Sequence, residues 1–234
     1  MKEWIDSSIY YRSDNMIYFN LYHPEAVYID YRIEEFSNKF ENIKKQYPGK
    51  IYVVRIEDKK YCEKFLKEGF KMCRKTYEIQ LDNTCLFNNF VEYDKECFEL
   101  TDELICKWYQ IYNETHKVNP VKEFDLEVFK NLLKRDLDLK HSILIKDNSG
   151  VINAYALLYS DDNTTEIGYV YYKDETHKKM LKETLNCEMK IIFETGREYI
   201  SIEVDDTDNY SYELFKGFIN KQTPLQRTLI FHSK

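Results

Sequence analysis

Apolar and polar residues follow two different spacings along the chain, and each spacing predicts a type of element. Alternating apolar and polar positions predict strands, and apolar residues three to four positions apart predict helices. In the N-terminal part these patterns predict strands at 9–11, 16–21, 27–33 and 51–56, with helices at 34–47 and before Gly69-Phe70. In the C-terminal part they predict a short strand at 97–100, helices at 102–117 and from 125, strands at 142–145, 151–159 and 165–172, a helix at 176–194, and strands from 200 and 227. The order indicates a mixed α/β protein.

Two distant segments repeat one pattern of elements. Ile56 closes a strand that is followed by a helix and the pair Gly69-Phe70, and Val204 stands in the same relation to Gly217-Phe218. Both pairs are 148 residues apart, and a further strand follows in each segment. This order indicates two copies of one fold unit. We therefore predict a truncated copy at 1–84, a linker at 85–95 and a complete copy at 96–234, and we expect the truncated copy not to work as a separate module.

Composition disfavours several classes of protein. The 234 residues are 43% hydrophobic and 32% charged, which is typical of a globular chain. No apolar run approaches the length of a membrane span, so we expect a cytoplasmic protein with no membrane partner. The net charge of −7 disfavours nucleic acid as a partner and favours a cationic amine. The six cysteines include no Cys-x-x-Cys pair, so we expect neither a metal site nor a disulfide framework.

Three stretches of the second copy together resemble the C-terminal signature of the GNAT acyltransferases. They are Val204-Asp205-Asp206-Thr207, Leu214-Phe215-Lys216-Gly217-Phe218 and Gln226-Arg227-Thr228. Members of the family usually show a strand, an Asn, a small residue, Leu-Tyr, Gly-Phe, and a basic residue that opens the last strand. The resemblance implies the GNAT acyl-CoA N-acyltransferase fold, an α/β (α+β) fold with a mixed sheet, in one complete copy and one truncated copy.

The resemblance also implies a reaction, in which an amine attacks the thioester of acetyl-CoA directly. In the family the pantetheine arm of the co-substrate lies between two separating strands and bonds their backbone, which corresponds here to Tyr169, Val170 and Tyr171. Glu166 stands at a Glu-Ile position where several members keep a general base, and a hydrophobic cleft would raise the pKa of such a carboxyl. A solvent-facing strand glutamate is the alternative. Gly168 marks either the bulge that separates the strands or space for a bulky neighbour.

The stretch before the long helix departs from the family pattern. Typical members carry a glycine-containing loop there, whose backbone N–H groups approach the pyrophosphate of the co-substrate. Here Lys178, Met180 and Lys182 stand where small residues are expected. The helix either begins early, capped by Asp174 or Thr176, and fills the anion site, or the lysines bind phosphate as point charges. A solvated basic helix start is the third alternative.

The start of the last helix departs as well. Asp208 stands where an Asn is expected, with Asn209 beside it, and Ser211 keeps the small position. The family tyrosine that protonates the leaving thiolate corresponds to Phe215, which has no proton to give. Tyr212 is the candidate substitute, and Tyr210 lies nearby on another helix face. The first copy is more eroded at these positions, and we expect no catalysis there.

The candidate residues fall into two sets. The catalytic candidates are Glu166 and Tyr212. The candidates for binding the co-substrate are Tyr169, Val170, Tyr171, His177, Lys178, Lys179, Met180, Leu181, Lys182, Asn209, Ser211 and Phe215. The leading hypothesis is an acetyl-CoA-dependent N-acetyltransferase that acts on a small amine or a peptide amine. The main alternative is a catalytically inactive GNAT-fold binding or regulatory module that has lost the pyrophosphate loop. A relative of the tandem enzymes that use aminoacyl-tRNA is disfavoured by the acidic charge.

Overall fold

A computed structural model describes residues 10–12, 17–20, 23–86, 98–117, 125–220 and 222–233. Most of the expected linker at 85–95 therefore lies outside the described residues. The chain divides into two compact units. The first unit comprises Met1–Thr76, His116–Glu123 and Thr223–Lys234, and the second comprises Tyr77–Thr115 and Phe124–Gln222. In the described part of the chain, no helix has both the length and the apolar character that crossing a membrane requires.

The elements follow one another in the order that the sequence predicts, apart from the opening strand of the second copy. The first half contains β1 (Tyr10–Arg12), β2 (Ile17–Asn20), β3 (Ala26–Ile29), α1 (Phe36–Gln46), β4 (Ile51–Ile56), α2 (Cys62–Lys67) and β5 (Lys71–Leu81). The second half contains α3 (Asp102–Thr115), α4 (Leu126–Lys134), β6 (Ile143–Lys146), β7 (Ile152–Ser160), β8 (Thr165–Tyr172), α5 (Glu175–Glu194), β9 (Ile200–Asp205), α6 (Asn209–Ile219) and β10 (Gln226–His232).

One predicted element is absent. The short strand expected at 97–100 is not formed by residues 98–100, and residue 97 lies outside the described part of the chain. Local composition favoured a strand there, but a run of four residues needs a neighbouring strand to supply its hydrogen bonds. Instead, Thr101 follows this stretch as a helix cap, and its hydroxyl oxygen accepts a hydrogen bond from the backbone N–H of Leu104.

The first unit is built on the strand order β1-β2-β3-β4-β10-β5, with the first six residues of β5 as its last member. β3 and β4 are parallel, and β10 runs antiparallel to both β4 and β5. One face of this sheet carries an aromatic core against α1 and α2. Phe231 of β10 lies in it, with ring centroids 5.2 Å from Phe40 and 5.5 Å from Phe70. The C-terminal strand therefore supplies part of the first unit's core.

The position of β10 bears on the division of the chain into two copies, which stays a prediction. The sequence assigns this strand to the complete copy at 96–234, but its hydrogen-bonded neighbours are β4 and the first part of β5. The last five residues of β5, which the sequence assigns to the truncated copy, belong to the second unit beside β9. Relative to the two copies that the sequence predicts, β10 and the last five residues of β5 each lie in the other unit. The boundaries at 84 and 96 remain predictions about the repeat. The core of the first unit contains Leu229 and Phe231 of β10, and the core of the second contains Ile79 and Leu81 of β5.

The second unit is built on the strand order β5-β9-β8-β7-β6, with the last five residues of β5 as its first member. β8 and β9 are parallel, whereas β6, β7 and β8 form an antiparallel meander. One face of this sheet packs against the buried sides of α5 and α6, where Leu185, Met189 and Phe215 contribute to a single core. On α3, Trp108 packs against Phe129 of α4 and Tyr169 of β8. This architecture confirms the predicted mixed α/β fold class.

Candidate active site

The feature that defines the site is the separation of two parallel strands. Within the described residues, β8 and β9 share a single paired position, Glu166 with Ser201, at the start of both strands. Beyond it β8 remains paired with β7 as far as Tyr172, and β9 continues to Asp205 without pairing to β8. Along the two edges that face each other, the backbone N–H and C=O groups of β8 and β9 are therefore not paired between the two strands. The result is a wedge that opens away from Glu166.

The parallel strands of the first unit do not separate. β3 and β4 are parallel and are paired at four successive positions, from Ala26 with Ile51 to Ile29 with Val54. A continuous ladder uses the backbone groups that a wedge would leave open. The first unit therefore has no such gap between these two strands, and the expectation that it does not catalyse a reaction stays a prediction.

β8 has a bulge at Gly168, two residues after Glu166. Leu157 of β7 is opposite Tyr169, and Leu158 is opposite Ile167, so Gly168 is the one extra residue on β8. A bulge of this type changes which side chains share a face. Ile167 lies in the core below the sheet, and Tyr169 packs on the opposite face against Trp108. Without the extra residue, strict alternation would place Tyr169 on the same face as Ile167.

The second interpretation of Gly168 holds as well. A Cβ atom at this position would lie 2.5 Å from Cε2 and 2.7 Å from Cδ2 of Tyr159. Tyr159 is opposite Glu166 in the β7–β8 ladder, and its ring covers the bulge. Glycine is therefore required for the bulky neighbour and also forms the bulge. The two alternatives that the sequence left open are both present in the structure.

Glu166 is a half-buried carboxyl with other carboxyls near it. Burial is the largest cause that raises its pKa, to about 7, and the negative charges of Glu203 and Glu78 act in the same direction. Neither Glu166 nor Glu78 takes part in an ion pair with any of the described residues. The solvent-facing alternative is thus not what the structure shows. The sequence did not suggest Glu203 or Glu78, because they reach Glu166 from β9 and β5.

Aromatic side chains form the wall beside Glu166. Trp108 and Tyr112 of α3 and Tyr159 of β7 all pack against Tyr169, with ring centroids 5.4, 6.4 and 6.3 Å from it. The Tyr159 hydroxyl and the Trp108 indole nitrogen are buried and have no hydrogen-bond partner among the described residues. Glu166 is close enough for its charge to raise the pKa of Tyr159, after the larger effect of burial. The wall is therefore largely apolar, with polar atoms available next to the carboxyl.

The start of α5 follows the first of the alternatives considered for the loop. The helix begins at Glu175, and Asp174 caps it by accepting a hydrogen bond from the backbone N–H of His177 at 3.0 Å. The same carboxylate contacts His177 Nδ1 at 2.7 Å, and these hydrogen bonds lower the pKa of Asp174. Met180 is exposed, whereas Leu181 is buried in the core. The backbone amide that an anion would use at this helix start is already bonded to a carboxylate.

The lysines of α5 are arranged as ordinary surface residues of a helix. Lys178 Nζ lies 3.4 Å from Glu175 Oε1 and above the ring of Tyr172. Lys179 Nζ lies 3.9 Å from Glu183 Oε1, and Lys182 is half-buried on the same helix. The positive charges are therefore balanced within the first turns of α5.

The start of α6 has the same construction. Asp208 accepts hydrogen bonds from the backbone N–H of Tyr210 and from the Ser211 hydroxyl, at 3.0 and 2.8 Å. Burial raises the pKa of this carboxyl, although its hydrogen bonds to Ser211 act against the shift. Asn209 is exposed as the first residue of the helix, and Phe215 is fully buried in the core. Ser211 thus supports the cap of α6, in the place where the resemblance implies contact with a co-substrate.

Of the two tyrosines at the start of α6, Tyr210 is the one that lies against β8. Its ring centroid is 5.2 Å from Tyr171 and 5.4 Å from Tyr172. Its pKa is raised to about 12, by burial first and then by the charge of Glu114 on α3. Both Tyr210 and Tyr212 pack against the core below the sheet, but only Tyr210 has a ring contact with β8 among the described residues. The catalytic role of Tyr212 remains a prediction, and Tyr210 is a site residue that sequence spacing on α6 did not single out.

The side chains of the remaining candidates from β8, Val170 and Tyr171, point to opposite faces of the sheet. Val170 faces the core, whereas Tyr171 is buried on the other face, 5.6 Å from the ring of Tyr155 and below the ammonium group of Lys107. Side-chain contact with a bound co-substrate is therefore excluded for Val170 in this arrangement, but its backbone lies on the strand that borders the wedge. The structure brings Glu166, Tyr169 and Tyr171 to one face of β8.

Similarity to known proteins appears in solved structures alone. No protein-family model matches the chain, and no curated protein matches its sequence. A GCN5-related N-acetyltransferase from Sphaerobacter thermophilus is similar over 94% of this chain and 77% of its own, with a TM-score of 0.59 and 11% identity. The fold is that of the GNAT N-acetyltransferases.

Two further solved structures share the GNAT fold over most of this chain. A GNAT-family acetyltransferase from Colwellia psychrerythraea covers 96% of this chain and 84% of its own, with a TM-score of 0.51 and 12% identity. A tandem GNAT protein from the clavulanic acid biosynthesis pathway, solved without AcCoA, covers 93% and 78%, with a TM-score of 0.51 and 9% identity. At such identities the likeness concerns the fold, and the chemistry of this chain has to be argued from its own residues.

The sequence resemblance implies acyl-CoA as the acyl donor, and the residues of this chain fit one end of that molecule. The wedge between β8 and β9 has open backbone edges for the thioester arm, and Glu166 lies at its apex. At the nucleotide end the residues do not fit. No glycine permits close backbone approach at the start of α5, and the carboxylates of Asp174 and Asp208 occupy the two helix starts that follow β8 and β9.

Proposed function

We propose that this protein is an N-acyltransferase that transfers an acyl group, acetyl in the first instance, from a thioester donor to an amine. One observation carries the proposal. The parallel strands β8 and β9 separate directly after the pair formed by Glu166 and Ser201, and a half-buried carboxyl stands at the point of separation. The fold supports the proposal, since the similar solved structures include GNAT acetyltransferases.

In the proposed reaction Glu166 accepts the proton that turns an ammonium ion into a nucleophilic amine. A carboxyl with a pKa of about 7 is ionised in half of the molecules at neutral pH and still basic enough to accept this proton. The amine nitrogen then attacks the thioester carbonyl carbon, so that a C–N bond forms, the C–S bond breaks and the thiolate leaves. Backbone N–H groups of the open β8 edge at Tyr169 to Tyr171 would polarise the carbonyl.

The charges around Glu166 favour a cationic acceptor, such as a small amine or a peptide amine. Glu203 and Glu78 influence Glu166 electrostatically, and both are exposed. Carboxylates on neighbouring strands attract an ammonium ion and hold it near the base. The net charge of −7 acts in the same direction at longer range.

The test is turnover of a panel of primary amines with acetyl-CoA and acetyl-pantetheine, measured as free thiol and as acetylated product by mass spectrometry. We expect kcat/KM to rise with pH around an apparent pKa of about 7. Glu166→Gln should lower kcat about 100-fold or more. Glu194→Gln removes an exposed carboxyl at the end of α5 and should leave kcat unchanged, which controls for net charge. An equal kcat for Glu166→Gln and the wild type would remove Glu166 as the base.

The alternative function is a GNAT-fold binding or regulatory module without catalysis, and the capped starts of α5 and α6 favour it. The two functions differ in a simple measurement. A module would show no acetylated product with any amine or either thioester, while a bound amine would still raise its unfolding temperature. Product formation that depends on Glu166 would exclude the module.

A further inference from the structure

The two open strands lead directly into helix starts that carry carboxylates. β8 ends at Tyr172 and α5 begins at Glu175 behind the Asp174 cap, while β9 ends at Asp205 and α6 begins at Asn209 behind the Asp208 cap. A thioester arm with its carbonyl near Glu166 would leave the wedge at this end. Helix N-termini normally attract anions, but here the positive ends of both dipoles are already satisfied by side chains of the chain itself.

The hydrogen bonds at these caps leave little for a phosphate to use. The carboxylate of Asp174 accepts a hydrogen bond from the backbone N–H of His177. The carboxylate of Asp208 accepts hydrogen bonds from the backbone N–H groups of Tyr210 and Ser211. A nucleotide phosphate would have to displace a carboxylate or lie beside it, with repulsion between the like charges. The ammonium groups of Lys178 and Lys179 already lie near Glu175 and Glu183.

We propose that this protein recognises its acyl donor through the pantetheine arm and not through the nucleotide of acyl-CoA, which contributes little to binding or turnover. The donor class is then an acyl thioester of pantetheine or phosphopantetheine, supplied either as free acyl-CoA or on a carrier protein. The inference rests on the proposed acyl transfer. The inference also goes beyond the proposed acyl transfer, because it distinguishes the part of the donor that the wedge accepts from the part that the capped helices reject.

The kinetic test compares donors that share the pantetheine arm and differ in the group attached to its far end. S-acetylpantetheine, acetyl-CoA and an acetylated carrier protein are used with one amine acceptor and the wild-type chain. We expect kcat/KM for S-acetylpantetheine within about threefold of that for acetyl-CoA, because no preformed contact to the nucleotide is lost. A 100-fold preference for acetyl-CoA would overturn the inference and leave the proposed function standing. A 100-fold preference for the carrier protein would support it and identify the source. Absence of turnover with all three would overturn both.

An equilibrium test needs no turnover. Binding of adenosine 3′,5′-bisphosphate and of CoA is measured by titration calorimetry with the wild type, Asp174→Ser and Asp125→Ser. Serine is itself a good cap, so both variants keep a helix cap while losing one negative charge. Asp125 caps α4 in the same way, by accepting from the backbone N–H of Val128, and serves as the matched control.

We expect no saturable binding of the bisphosphate to the wild type or to Asp125→Ser at millimolar concentration. Asp174→Ser should bind CoA about fivefold more tightly than either. Micromolar binding of the bisphosphate to the wild type, or weaker binding of CoA by Asp174→Ser, would show that the start of α5 is a nucleotide site after all. Either result would overturn the inference without reference to catalysis.

Discussion

Replacement of Gly168 by alanine tests the geometry around the base most directly. The added methyl group would lie 2.5 and 2.7 Å from two ring carbons of Tyr159, whereas non-bonded carbon atoms are normally about 3.5–4.0 Å apart. An overlap of about 1 Å on a ring that also packs against Tyr169 forces the ring or the bulge to move. The backbone carbonyl oxygen of Leu157, at 3.6 Å, is in ordinary contact and adds no strain.

The expected magnitude follows from two opposing effects. Overpacking of a buried site costs about 1–3 kcal/mol. Removal of a glycine from a strand returns about 0.5–1 kcal/mol of backbone entropy. We therefore expect Gly168→Ala to lower the free energy of unfolding by about 1 kcal/mol, within a range of roughly 0–2.5 kcal/mol set by the difference between these two effects. Equilibrium urea unfolding followed by tryptophan fluorescence measures it, since Trp108 packs against the neighbouring Tyr169.

A double-mutant cycle isolates the cause. In a Tyr159→Ala background the ring is gone, so adding Gly168→Ala should cost nothing or stabilise slightly, with a coupling energy of about 1 kcal/mol or more. Gly217→Ala is the matched control, because no atom lies within 4 Å of its added methyl group and the residue sits in α6. It should stabilise the chain by about 0.5–1 kcal/mol. An equal cost of Gly168→Ala in both Tyr159 backgrounds would refute the steric argument and indicate a requirement of the backbone itself.

Two further predictions concern buried charge. Burial raises the pKa of Glu166 from 4.5 to about 7, so the native state loses stability as pH rises through this window. In urea unfolding, Glu166→Gln and the wild type should have equal free energies of unfolding at pH 4. At pH 8 the free energy of unfolding of the variant should be higher by about 1–2 kcal/mol, after discounting for the partial exposure of Glu166. A difference that does not change with pH would contradict this. His141 Nδ1 contacts Glu188 Oε2 at 2.9 Å, and both residues are buried. His141→Leu should cost about 3 kcal/mol, and adding Glu188→Leu should recover most of it; no recovery would show that the carboxyl is not the cause.

Several parts of the site and fold were predictable because they depend on local sequence. The spacing of apolar residues placed β8 at 165–172 with the same limits as the structure, and α5 within one residue of its observed start. Asp174 is one of two candidate caps in the sequence, since side-chain oxygens at such positions accept hydrogen bonds from the free N–H groups of the first turn. Gly168 was recognised as unusual because glycine in a strand needs a reason.

The environment of Glu166 could not be predicted in the same way. Its pKa depends on Glu203 and Glu78, which are far away in sequence and are brought near by the alignment of β5, β9 and β8. Tyr210 faces β8 because of the rotation of α6 about its axis, and spacing within the helix does not fix that rotation against its neighbours. Contacts of this kind are set by packing between elements.

The sequence by itself determined the order of the elements, the repeat of strand, helix and Gly-Phe, and the presence of carboxylates instead of glycines around the helix starts. The tertiary structure alone decided which last strand completes which sheet. The apolar residues of β5 and β10 predict that each is a strand, but they do not specify whether its neighbour is β4 or β9. Long-range backbone pairing and the fit of Phe231 into the first unit's core select the observed arrangement, and neither can be read from residues that are neighbours in the chain.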